Sequence, residues 1–285
     1  MMFDMTNEMI LPPPPAHFVW RGTPAGPALV APVLERFADH LFTTRHWKLG
    51  QPATDGDDRE AWQQVADAAG VGLDELVRVN QIHGAAAVVA TRGAQRTTGD
   101  VILNADPSLA VAVQTADCVP LLLADRRTGA VAAAHAGWRG MAARVPEATM
   151  ASMAAAFGTR PADLVCVVGP SIGACCYEVG VDVREAFGLA GFHPAQVDRW
   201  FSPSPKRFAA NPPMQRLRAQ GRPDHWFFDG WRSVRDQLEA AGVRSDQIVS
   251  SDLCTASHPG TLCSYRRDGS PAGRMAGVIK PRSRP

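Results

Sequence analysis

The densest apolar patterning runs from Gly99 to Arg144. Within it, Leu109 to Val113 and Val131 to Ala134 are uninterrupted apolar runs. They are too short for core helices, which predicts strands near 110–115, 120–124 and 130–135. Upstream, the stretch ending in HLFTTR suits a strand, and LVRVNQIHGAAAVVAT reads as two short strands around a turn at His83-Gly84. A polar loop at Asp55 to Arg59 leads into a helix, because Trp62, Val65, Ala66 and Ala69 recur at helical spacing and Gly70 supplies a stop. Pro146 and Gly158 bracket a second helix rich in Ala and Met. LVCVVGPSIG reads as a buried strand and a Gly/Pro turn, and VDVREAFGLAG as a short helix.

Residues 200–225 read as a long irregular loop, a lid or an edge excursion. Trp231, Val234, Leu238 and Ala241 then mark an amphipathic helix, followed by a strand in QIVSSDLCT and a last strand after the Gly-rich turn beyond SYRRDG. Residues 1–25, rich in Pro, Met and Gly without a period, read as a poorly ordered extension. No repeat or composition break divides residues 26–285. The expected architecture is therefore a single α/β domain of layered mixed β-sheets flanked by helices.

Composition narrows the partner. With 29 basic and 28 acidic residues the net charge is +1, so no long-range field favours nucleic acid or an anionic membrane, and a small molecule is expected instead. No apolar run reaches the roughly 18 residues that span a bilayer. The first residues carry Asp4 and Glu8, lack a basic segment and run into four prolines, unlike a signal peptide, which makes the cytoplasm the expected location. Six cysteines in 285 residues are no disulfide framework and fit reduced thiols.

Three residues next to apolar runs carry candidate chemistry: His83, Cys118 and His135. Together they have the ligand types of a zinc site with three protein ligands and an open fourth position. Spacing alone favours a plainer reading, a buried thiol with locally bonded histidines, and the residues also fit a Cys118 nucleophile with His135 as base, oriented by Asp117 or Asp125. The turn HAGWRG before a helix offers N–H groups and Arg139 to an anion, and Arg266, Arg267 and Arg274 are suited to clamp a phosphate or carboxylate. The adjacent Cys175 and Cys176 read as buried core. Glu60, Glu178 and Asp229 are available acids or bases that no spacing selects.

NQIHG (80–84), TADCVPLLLAD (115–125), AHAGWRG (134–140), GPSIGACCYEVG (169–180) and the closing CT, SYRRDG and GR appear in this order. On these blocks the chain, from about Phe42 to Ile279, resembles the YfiH/laccase-domain family, formerly described as polyphenol oxidases. The resemblance implies the YfiH-like fold and a zinc ion, with copper as the less favoured metal, held by His83, Cys118 and His135, which would also be catalytic. It further implies a purine nucleoside phosphorylase acting on adenosine, inosine or methylthioadenosine with phosphate, with adenosine deaminase activity beside it. Arg45, Arg139, Arg266 and Arg274 are the corresponding candidates for substrate and phosphate. Two departures stand out: Arg45 is followed by HWKLG where the family usually has a Gly-Gly-Val-Ser-like segment, and Cys263 replaces a common Phe.

Three rival functions predict different observations. A Cys118/His135 hydrolase or editing factor for peptidoglycan precursors, a role linked to bacterial family members, would need no phosphate. A copper-dependent phenol oxidase would need more metal centres than eight histidines without a His-x-His pair suggest. A binding module with a structural metal would favour four protein ligands over three. A monomer and a small homo-oligomer both fit the sequence.

Overall fold

The computed structural model describes residues 11–50, 58–214 and 222–283. Asp55 to Asp57 of the expected polar loop, the first ten residues of the expected extension and 215–221 of the expected long loop lie outside them.

Two six-stranded sheets stack face to face between helices. One has the order Val19–Thr23, Gly26–Val30, Ala38–Thr43, Met275–Pro281, Ala110–Thr115, Leu76–Arg78. The other has the order Ile248–Ser250, Leu164–Val168, Val119–Asp125, Val131–Ala136, Val101–Asn104, Ala87–Val89. Both are mixed, with parallel pairing confined to Leu76–Arg78 in the first and to both edge strands of the second.

Alternation along the central strands explains the uninterrupted apolar runs. Leu122 and Ala124, with Val131 and Ala133, face the other sheet and pack with Phe42, Val111, Val113 and Ile279. Leu121 and Leu123, with Ala132 and Ala134, point the other way and pack with Met150, Phe187, Val234 and Leu238 of the helices Val145–Phe157, Val181–Leu189 and Gly230–Ala240. The outer face of the first sheet is covered by Trp62, Val65 and Ala66 of the helix Arg59–Ala68. The layers run helix, sheet, sheet, helix, so central strands are apolar on both faces. Small residues allow the sheets to approach: a Cβ on Gly169 would lie 2.3 Å from the Phe42 ring.

The expected strands at 110–115, 120–124 and 130–135 are present, as are the helices around 59–70, 146–158, 181–191 and 231–241. Three expectations are corrected. The N-terminal segment is no loose extension as far as residue 25, because Phe18 is buried and Val19–Thr23 pairs with Gly26–Val30. The two short strands expected around His83-Gly84 are present as Leu76–Arg78 and Ala87–Val89, and they join different sheets. The expected loop at 200–225 begins after an unforeseen helix, Pro194–Trp200, and its ends, Phe201–Ser202 and His225–Phe228, pair in a small third sheet with Glu178–Gly180. As far as residue 214 the loop is a strap rather than a lid, since Asn211 is buried, with its side chain bonded to the Asp252 carbonyl and the Cys254 N–H.

Candidate metal centre and cleft

Sheet register assembles the site. Cys118 lies in the turn just before Val119–Asp125, and His135 is the penultimate residue of Val131–Ala136; Pro120 stands opposite His135 and Val119 opposite Ala136. His135 thus lies near the end of its strand. On the other side Val101 pairs with Ala134, which sets Asp100 beside His135, and the His135 N–H donates to the Asp100 carbonyl at 2.7 Å.

The third residue comes from a loop that each member of NQIHG helps to fix. Asn80 bridges to Thr98, and Gln81 docks on Gln114, donating to its carbonyl at 2.8 Å and accepting its N–H at 2.7 Å. His83 adopts the left-handed conformation, φ +61°. That conformation is costly outside glycine. Asp100 stabilises it by accepting the N–H groups of Ile82, His83 and Gly84 at 3.2, 2.9 and 2.7 Å.

His83, Cys118 and His135 thereby bring their ligand atoms within 4.8 Å of one another. The two imidazoles meet edge-on, with centroids 4.8 Å apart. A Cβ on Gly137 would lie 2.9 Å from the His83 ring and 3.0 Å from the Cys118 sulfur, so only glycine leaves the cradle open. Asp100 engages His135 Nδ1 at 2.8 Å, which leaves Nε2 as the free ring nitrogen. A carboxylate behind a ligating histidine fixes its tautomer and raises its basicity. Two imidazoles and one thiol within this span therefore fit a metal ion with an open coordination position.

The charges are coupled. Burial pulls the His135 imidazole down, but hydrogen bonds to Asp100 and Cys118 outweigh it and raise the group to about 9. Burial pushes the Cys118 thiol up, and hydrogen bonds from His135 and His83 more than reverse this, to about 7. The Asp100 carboxyl, raised by burial, ends below its ordinary range through its bonds to His135 and the loop. Neither Asp117 nor Asp125 orients His135. Asp125 accepts the N–H groups of Arg127 and Thr128 in its own turn, and Asp117 accepts the Thr255 hydroxyl at 2.5 Å and the Arg266 N–H at 2.6 Å.

The three residues line a cleft of about 680 Å³. Arg139, Arg266 and Arg274 line it as expected, joined by Arg96 and by Tyr177 and Tyr265, which sequence reasoning missed. The Arg139 guanidinium lies 4.3 Å from the Trp138 ring centroid and that of Arg266 lies 5.1 Å from Tyr177. Burial pushes the Tyr177 phenol well up, so it stays a hydrogen-bond donor.

Arg45 and Arg267 are not among the lining residues. The Arg45 guanidinium donates to the Pro259 carbonyl, and that of Arg267 donates to the Thr255 and Leu262 carbonyls at 2.8 and 2.9 Å. Among the unselected acids, Glu178 pairs with Arg222, Asp229 caps the helix Gly230–Ala240 and pairs with Lys206, and Glu60 is exposed in the first turn of its helix.

Residues 53–282 match the family model described as multi-copper polyphenol oxidoreductase laccase. The chain belongs to the YfiH/laccase-domain family. Across 267 residues, covering 90% of this chain and 93% of the relative, it is 36% identical to a Deinococcus radiodurans protein named purine nucleoside phosphorylase. It is 34% identical over 213 residues, 74% of this chain and 76% of the relative, to the Escherichia coli purine nucleoside phosphorylase YfiH. Two solved structures share the fold. Bacillus licheniformis YfiH superposes with TM-score 0.78 over 92% of this chain and 99% of its own at 24% identity. YlmD from Geobacillus stearothermophilus superposes with TM-score 0.75 over 93% and 100% at 26% identity. No helix among the described residues of this laccase-domain chain is long and apolar enough to cross a membrane.

Proposed function

We propose that the chain is a zinc-dependent purine nucleoside phosphorylase, with His83, Cys118 and His135 as metal ligands and Arg139, Arg266 and Arg274 as the residues that meet phosphate. The observation that carries this reading is one cleft, about 680 Å³ in volume, that contains both an open two-histidine, one-thiol ligand set and three arginines, two of them, Arg139 and Arg266, beside aromatic rings. Its volume lies within the range of small-molecule sites, and the names of the relatives supply the reaction class. Zinc is the ion of this proposal because it binds imidazole and thiolate with a fourth position left open for chemistry, whereas copper held by two histidines and a thiolate carries a weak axial ligand and serves electron transfer.

In phosphorolysis a phosphate oxygen attacks the anomeric carbon of the ribose, the bond to the purine nitrogen breaks, and the base leaves with the bonding electrons and takes up a proton. When bound, the ion supplies positive charge that polarises the reacting groups. The arginines offer fork-shaped donors matched to phosphate oxygens. Tyr177, backed by Arg266, supplies a flat face and a donor hydroxyl for the base, and Asp117 positions Arg266 by holding its N–H at 2.6 Å.

Zinc-loaded protein is incubated with adenosine, with and without phosphate, and the products are separated. Adenine and ribose 1-phosphate formed only with phosphate are expected, and Cys118→Ala should reduce turnover to background. Inosine formed in both conditions would register a deaminase at the same site. No product from adenosine or inosine in either condition, or full turnover by Cys118→Ala, would refute the proposal.

A further inference from the structure

A second cluster of thiols lies behind the cleft. Cys175 and Cys176 sit in the turn after the strand Leu164–Val168, and Cys254 lies opposite Ser171 in a single parallel bridge. Their sulfur atoms are all within 4.8 Å of one another, and the side chains are 1%, 0% and 0% exposed. Simple packing does not need three thiols to converge with their polar atoms inward. Polar groups also meet the sulfurs: the Gly173 N–H donates to Cys254 Sγ at 3.3 Å, and the Ser257 hydroxyl shares hydrogen bonds with Cys176 Sγ at 3.5 Å and Cys175 Sγ at 3.8 Å. Such contacts stabilise thiolate charge, and the three sulfurs share it. Hydrogen bonds from Cys175 and Cys254 pull the Cys176 thiol down, while its two neighbours are pushed up.

The donor set is selective. The group contains no imidazole and no carboxylate. Thiolate ligands favour copper(I), zinc and iron–sulfur clusters. An iron–sulfur cluster takes four protein ligands, and a structural zinc ion likewise. Copper(I), a soft monovalent ion with a filled d shell, accepts three sulfurs in a plane. We propose that Cys175, Cys176 and Cys254 form a closed, sulfur-only site for one soft monovalent metal ion, copper(I) being the ion of that class it takes. Each thiol that becomes a ligand gives a lone pair to the ion and its proton to solvent, and the ion does not change oxidation state.

The site is distinct from the one in the cleft in both ligands and access. The strap described above closes it: the Lys206 N–H donates to the Ala174 carbonyl at 3.1 Å, and the Cys254 N–H donates to Asn211 Oδ1 at 2.8 Å. A site this enclosed holds an ion rather than turning over substrate. It also adjoins the cleft through the chain, since Cys176 precedes Tyr177 and Cys254 precedes Thr255, the partner of Asp117.

The test offers copper(I) itself, without oxygen, to the full chain carrying Cys118→Ala, in competition with a chromogenic copper(I) chelator. One tightly held equivalent is expected, with an ultraviolet thiolate-to-metal charge-transfer band and a copper X-ray absorption shell made only of sulfur. Adding Cys176→Ser or Cys254→Ser should abolish that equivalent. If a substituted chain fails to fold, the unsubstituted zinc-loaded protein is measured at the copper edge, where the same sulfur-only shell is expected. No tight equivalent, a shell containing nitrogen, or unchanged binding in the folded Cys176→Ser and Cys254→Ser chains would overturn the proposal.

Discussion

Asp100 commits both carboxylate oxygens to the candidate centre, Oδ1 to His135 Nδ1 and the His83 N–H, Oδ2 to the N–H groups of Ile82 and Gly84. An amide at this position has one acceptor oxygen and a nitrogen that can only donate, so Asp100→Asn must lose bonds to the loop or to His135. Metal affinity should fall by about 10–100-fold, as for other losses of a carboxylate behind a ligating histidine. Competitive zinc titration of the folded variant measures this, and unchanged affinity would show that the loop and ring hold their places without it. The three candidate ligands were legible through the motif blocks shared with the family, since their spacing beside apolar runs alone favoured a buried thiol. Asp100 was not, because an acid that orients a histidine across a strand pair leaves no spacing signal. Asp117 and Asp125, nearer in sequence to Cys118, turn their carboxylates to other partners.

The strands themselves carry ionisable groups that the packing controls. His40, in Ala38–Thr43, is 8% exposed and accepts the Ala31 N–H through Nε2 at 2.9 Å, and burial pulls its imidazole down to about 4. Its folded value lies below the unfolded value of about 6.5, so the stability tied to neutral His40 is complete above about 6.5 and is lost as pH falls toward 4. The loss approaches about 1.4 kcal/mol per pH unit inside that window. Urea unfolding at pH 7 and pH 5 should show a larger fall for the native chain than for His40→Gln, and parallel falls would remove His40 as the cause. Long elements with a clear period were readable: the helices through Trp62 and Trp231, and the doubly buried central strands. Short pieces such as Val19–Thr23 and Val101–Asn104 were not, since their place depends on pairing partners far along the chain rather than on a local period.

At the scale of the molecule, the two sheets and their helices enclose three separate apolar clusters, none of which includes His83 or Cys118. The layered α/β class could be read from the alternation of apolar runs and helical segments, but which strands joined which sheet could not, because the strands on either side of His83 part company at the turn. The candidate ligands converge because strand register, Gln81 and Asp100 place them. The charges of Cys118 and His135 support each other. Cys118, lowered to about 7, contributes stability that is lost as pH falls through that value, and His135, raised to about 9, contributes stability that is lost as pH rises through that one. Between the two values a thiolate faces an imidazolium. Removing the metal with a chelator near pH 8 should therefore abolish turnover while leaving the far-ultraviolet circular dichroism and a cooperative thermal transition intact. The transition should shift only by the free energy of binding, about 3–4 kcal/mol at a metal concentration 100–1,000 times the dissociation constant. A metal that builds its own domain behaves otherwise, because the chain unfolds when it is removed. Loss of the cooperative transition on chelation would assign the ion a structural role and detach it from the chemistry of the cleft.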